Sequence, residues 1–259
     1  MTTMDLVRPG AVTVTLAFGG RALKKFRRTP IQLLDVAVHP VVFTLIFSFL
    51  FGGAVGGSID AYIGYLVPGI LVMTLLVTTG TTGAALSVDI ATGVYDRFRT
   101  LSIRPGAVLT GALIGDLVRY ALASVVVLAL GLALGFRPAG GAPGVLAAVL
   151  LVLLFAVSLS WVWTLLALTV KTPGAVLALT QAVLYPLSFF SNIFTTPATL
   201  PGWLQAFVDV NPVSRLVSVV RALMAGTAPG ASLAWLLLGC ALLTAVFAPL
   251  ALRRFSRAG

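Results

Sequence analysis

Val145 to Val170 reads VLAAVLLVLLFAVSLSWVWTLLALTV, an apolar run without a single charged side chain. At 1.5 Å per residue it forms a helix of about 39 Å, enough to cross the roughly 30 Å hydrocarbon core of a bilayer. Its apolar residues are continuous, not alternating, which favours a helix over a membrane β-strand. Five further segments have the same character: Leu33–Val55, Tyr62–Val88, Ala107–Phe136, Ala175–Thr195 and Leu233–Leu252. Glycine and proline punctuate the breaks, at Gly52-Gly53, Gly56-Gly57-Ser58, Gly140-Gly141, Pro143-Gly144 and Thr172-Pro173-Gly174. The expected fold is an all-α integral membrane protein with six transmembrane helices, one domain over residues 1–259.

Composition agrees. The chain is 59% hydrophobic and 9% charged, whereas a soluble domain carries about 25% charged residues. All seven acidic residues are Asp. The net charge of +10 lies mostly in the gaps between apolar runs, which points to lipid and topology and away from nucleic acid. The one cysteine, Cys240, excludes an intrachain disulfide framework and reads as a small buried apolar residue. No secretory signal is evident, so the first span is expected to act as the targeting signal.

Basic residues set the orientation. With both termini inside, thirteen Lys and Arg residues are cytoplasmic, while Arg137, Arg215 and Arg221 are the three outside and Arg119 falls within the third span. The positive-inside rule selects this arrangement. Residues 11–28 read as an interfacial amphipathic helix, with Arg21, Lys24, Lys25 and Arg28 on one face and Val12, Leu16, Leu23 and Phe26 opposite. Residues 196–232, outside, are longer than a connector needs and read as re-entrant or interfacial short helices. Pro201 and Trp203 mark their start, Trp203 as an interfacial anchor. Asn211-Pro212 opens an amphipathic helix as N-cap and first residue, with Ser214, Ser218 and Arg221 on one face and Gly226 as its terminator.

No catalytic constellation or metal site is visible. His39, the single histidine, has no second ligand at metal-binding spacing and reads as structural. No GxxxxGK[ST] loop is present, so the chain is expected to bind no nucleotide or other cofactor by itself. Residues 89–106 form the one sizeable cytoplasmic loop after the N-terminus. It mixes Asp96, Arg97 and Arg99 with Phe98, Leu101 and Ile103, apolar anchors among register-fixing charges, a pattern suited to docking a soluble partner.

Taken in order, several motifs resemble the membrane subunit of ABC type 2 exporters, and most closely the daunorubicin-resistance type of bacterial permease. They are Tyr65-Leu66-Val67-Pro68-Gly69-Ile70, Gly93-Val94-Tyr95-Asp96-Arg97-Phe98-Arg99-Thr100-Leu101, Asp116, Leu200-Pro201-Gly202-Trp203-Leu204, and Asn211-Pro212 with Arg221. The resemblance implies a bacterial plasma-membrane permease whose Gly93, Asp96, Arg97, Phe98, Arg99 and Leu101 belong to a coupling helix. It also implies two partner ATPase chains that carry ATP and Mg, a second permease making a homodimer, and a hydrophobic or amphiphilic drug or lipid as cargo. Tyr185, Phe189, Phe190, Asn192 and Phe194 are then candidates to line an apolar and aromatic cavity.

Asp116 and Arg119 stand three residues apart, on one face of the third span. They read either as a gate-positioning ion pair within the bilayer or as an interfacial pair that snorkels. Gly111/Gly115 and Gly131/Gly135 have GxxxG spacing and support close helix packing. Two other functions stay open on these residues: an ion-coupled secondary transporter using Asp116, or a non-transporting membrane assembly factor.

Overall fold

The computed structural model describes residues 30–56, 59–93, 105–170 and 172–257. The expected interfacial helix 11–28 and the residues Asp96, Arg97, Phe98, Arg99 and Leu101 lie outside the described residues. Eight α-helices make up the described fold: α1 (Pro30–Gly56), α2 (Ile59–Ala91), α3 (Pro105–Ala133), α4 (Gly141–Thr169), α5 (Pro173–Phe189), α6 (Gly202–Val210), α7 (Pro212–Met224) and α8 (Ala231–Arg257). Four contain spans long and apolar enough to cross a membrane: Tyr62–Ala91, Leu109–Ala133, Gly141–Thr169 and Ala231–Ser256. Shorter apolar stretches, Pro40–Leu50 and Pro173–Phe189, come from α1 and α5.

The second helix is the hub. It packs against α1, α3, α4, α5 and α7, and residues Leu66 to Leu76 along it are buried all round. A helix that is apolar on every face is best placed inside a bundle, where each face meets a partner. Small residues let those partners approach. A Cβ on Gly83 would sit 3.0 Å from that of Trp163 in α4, and one on Gly131 in α3 would sit 2.8 Å from the Val67 side chain. Gly131, the first glycine of the second GxxxG spacing, therefore packs against another helix of the same chain. On the periphery, Trp235, Leu238, Leu242, Val246 and Leu250 of α8 remain exposed.

The helices alternate in direction. A cluster of Leu86, Leu109, Ala167, Val176 and Phe255 gathers one end of α2, α3, α4, α5 and α8 beside Gly93. At the opposite end the turn between α3 and α4 packs on the C-terminus of α7, with the Gly140 N–H donating to the Met224 carbonyl at 2.8 Å. α2 ends at the Gly93 end because Gly93 adopts a left-handed φ of 68° and its N–H bonds the Ile90 carbonyl.

One boundary differs from expectation. The apolar run 175–195 predicts a continuous span, but α5 stops at Phe189 and residues 190–195 turn away without regular structure. Hydropathy cannot register that stop, since the run stays apolar. Side chains of α2 and α7 take up the backbone carbonyls that the stop frees. α7 also differs from a helix lying on an interface: Val213, Ser214, Leu216, Val217, Val219, Val220 and Met224 are all buried, and it packs against α2, α4 and α8.

Candidate functional site

Two polar clusters stand out among the described residues of the apolar bundle. The first lies in the body of α3, where Asp116 is about 16 Å along the helix from its first residue. The carboxylate of Asp116 pairs with the Arg119 guanidinium at 3.0 Å, both side chains largely buried. Arg119 also donates to the Thr78 carbonyl at 3.2 Å and to the Thr82 hydroxyl at 2.9 Å. Thr82 in turn bonds the Tyr120 hydroxyl at 2.7 Å, and Tyr120 reaches Ser160 of α4 at 2.8 Å. The cation thus has a counter-charge and neutral acceptors, as an ionised group in an apolar bundle requires. A neighbouring bond, from the Trp163 indole to the Thr79 hydroxyl at 3.0 Å, ties α4 to α2 again.

The second cluster surrounds residues 190–195 at the Tyr62 end. The Arg221 guanidinium lies 3.5 Å over the Tyr65 ring. Its Nε donates to the Tyr65 carbonyl at 3.0 Å, and its Nη2 donates to the Ile193 carbonyl at 2.9 Å. The Tyr65 hydroxyl lies between the carbonyls of Asn192 (2.8 Å) and Thr195 (2.7 Å), which share its one O–H, and Tyr62 donates to that of Phe194 at 2.8 Å. Asn211 extends the capture, its Nδ2 reaching the Leu187 and Phe190 carbonyls at 2.8 and 2.9 Å. Its Oδ1 meanwhile caps α7 by accepting from the Val213 N–H at 2.9 Å, with Pro212 as the first helical residue, as the Asn-Pro pair predicts. Non-helical backbone in an apolar setting persists where such partners satisfy its polar groups. Gly69 completes the fit, because a Cβ there would fall 2.7 Å from the Ile193 carbonyl oxygen.

The predicted residues separate accordingly. Asn211 and Arg221 converge on this cluster, while Pro201 and Trp203 stand outside it, Trp203 being 72% exposed on α6. The five cavity candidates differ in burial. Phe194 is buried, stacked on Phe47 at 4.0 Å and on Phe189 at 5.5 Å, and the buried Asn192 donates to Ser218 at 2.8 Å. Phe189 and Phe190 are exposed, with Phe190 edge-on to Phe207 at 6.1 Å, and Tyr185 is half-buried 6.3 Å from Phe189. Reading by segment misses Tyr62, Thr82, Tyr120 and Ser160. Their only sequence signal is a hydroxyl recurring within long apolar runs.

Among the described residues, a bundle of long apolar helices, with an Asp–Arg ion pair and a carbonyl-bonded arginine inside it, defines a multi-pass membrane protein. The chain belongs to the ABC-2 type transporter family, whose model matches residues 13–225. It is also similar to the daunorubicin resistance ABC transporter permease protein DrrB1 of Streptomyces coeruleorubidus. That protein is 43% identical over 248 residues, covering 96% of this chain and 88% of its own length.

Proposed function

We propose that this chain is the permease subunit of an ATP-driven exporter that moves a hydrophobic or amphiphilic compound, a drug or antibiotic first, out of the bacterial cytoplasm or inner leaflet. The observation that carries the reading is likeness, over nearly the whole chain, to a permease named for daunorubicin resistance. In this reading α1, α2, α3, α4, α5 and α8 are six spans, and both termini and residues 89–106 are cytoplasmic. Gly93 and the Asp96–Leu101 stretch dock an ATPase that carries ATP and Mg, two copies serving a permease homodimer. Closure of the ATPase pair moves the docked segments and switches the bundle between inward and outward access. The rival ion-coupled transporter needs a buried acid free to take up a proton, and the ion pair with Arg119 ties up Asp116.

Affinity purification in mild detergent tests the docking. The chain is expected to bring down an ATPase carrying a GxxxxGK[ST] loop, and inverted vesicles to take up daunorubicin only with ATP. Arg97→Glu or Phe98→Ala is expected to abolish both. Recovery of the permease alone, with uptake unaffected by these changes or driven by a proton gradient without ATP, refutes the exporter.

A further inference from the structure

Arg221, on α7, bridges the backbones of α2 and of residues 190–195, which the hydroxyls of Tyr62 and Tyr65 also tie together. One edge of its guanidinium bonds the Tyr65 carbonyl inside α2, and another bonds the Ile193 carbonyl of the irregular chain. Its flat face rests on the Tyr65 ring, whose hydroxyl reaches past to the same chain at residues 192 and 195. A planar fork bonds two acceptors in fixed directions while lying flat on a ring; a lysine ammonium has neither the flat face nor the fixed fork. Breaking such bonds in an apolar setting strands the guanidinium and the non-helical Ile193 carbonyl, so the junction moves as one piece. α2, Ile59–Ala91, stays helical through Pro68 and runs from this junction to the Gly93 end. The same residues 190–195 lead back to α5 and forward to α6 and α7.

We propose that Arg221 is a positioning residue for transport. By fastening residues 190–195 to α2, it makes a displacement of α2 at the Gly93 end arrive at the far end of α5 and at the α6–α7 pair. This rests on the exporter reading, in which the ATPase pushes at residues 93–101. The cluster touches no cargo in this account; it sets how much transport each ATP delivers. Asn211 works beside it, holding the last turn of α5 to the start of α7 through the Leu187 and Phe190 carbonyls.

The test uses inverted vesicles from cells that co-express the full chain and its partner ATPase, with daunorubicin fluorescence as the transport probe. Arg221→Lys is expected to lower daunorubicin moved per ATP hydrolysed at least tenfold, while hydrolysis without drug stays within twofold of wild type. Tyr65→Phe keeps the ring under the guanidinium and loses only the hydroxyl bonds, so a drop of about threefold is expected. Arg215→Lys, at an exposed position of the same helix, is expected to change nothing. A wild-type ratio in Arg221→Lys overturns the proposal, as does a parallel fall of transport and hydrolysis at constant ratio. Should Arg221→Lys fail to accumulate, Tyr65→Phe decides, and an unchanged ratio there overturns it equally. Wild-type vesicles that hydrolyse no ATP and take up no drug overturn the exporter reading and the proposal together.

Discussion

A guanidinium among apolar helices needs a counter-charge and acceptors, and Arg119 obtains them from Asp116, Thr78 and Thr82. Removing Asp116 leaves the acceptors and strands the cation. Asp116→Asn is therefore expected to destabilise the protein by about 2–3 kcal/mol, as is Arg119→Gln, which strands the carboxylate. The double substitution is expected to recover at least half of the combined loss, because neither charge is then left alone. Cys240 supplies the readout: it is a buried free thiol, so a thiol-reactive dye reports its exposure as the detergent-solubilised protein is heated. Losses that simply add in the double variant would show the two side chains to be uncoupled. The spacing of Asp116 and Arg119 announces the pair, since residues three apart share a helix face. Its surroundings were not legible, because they depend on which hydroxyls of α2 and α4 the folded bundle presents to it.

Among the elements, the long helices were the legible part, since uninterrupted apolar length is their whole physical requirement. The N-terminus of α7 was legible too, because Asn211-Pro212 is a local signal with a local mechanism. The stop of α5 at Phe189 was not, for the partners that compensate it are Tyr62, Tyr65 and Arg221, distant in sequence. The glycines of the long helices divide along the same line. Gly69 faces the Ile193 carbonyl, whereas a Cβ on Gly53 of α1 would meet nothing within 4 Å. Gly69→Ala is thus expected to push residues 190–195 off α2 and to lower both thermal stability and drug efflux. Gly53→Ala, gaining helix propensity of up to about 1 kcal/mol, is expected to be neutral or slightly stabilising. Dye-reported melting of the two variants side by side checks the contrast, and equal melting points would argue against close packing at Gly69.

At the scale of the whole molecule, the alternating helices gather the chain's connections at two ends. Gly93, the turn between α4 and α5, and the C-terminus of α8 share one end, where Arg253 and Arg254 are exposed. The turn between α3 and α4, residues 190–195 and the loop after α7 share the other. The exporter reading proposed above puts the Gly93 end in the cytoplasm, as the positive-inside rule expects from the basic residues of segments 1–28, 89–106 and 253–257. This orientation decides whether an ATPase can reach residues 93–101 at all. Cysteine labelling in a Cys240→Ala background examines it directly, since Cys240 is the chain's one native thiol. Thr227→Cys, exposed after α7, is expected to react with a membrane-impermeant maleimide on intact cells. Ser256→Cys, exposed near the end of α8, is expected to react only in inverted vesicles. The reversed pattern would put the Gly93 end outside and leave the coupling segment with no ATPase to meet. Labelling of both positions on intact cells would show instead that α8 does not span the membrane.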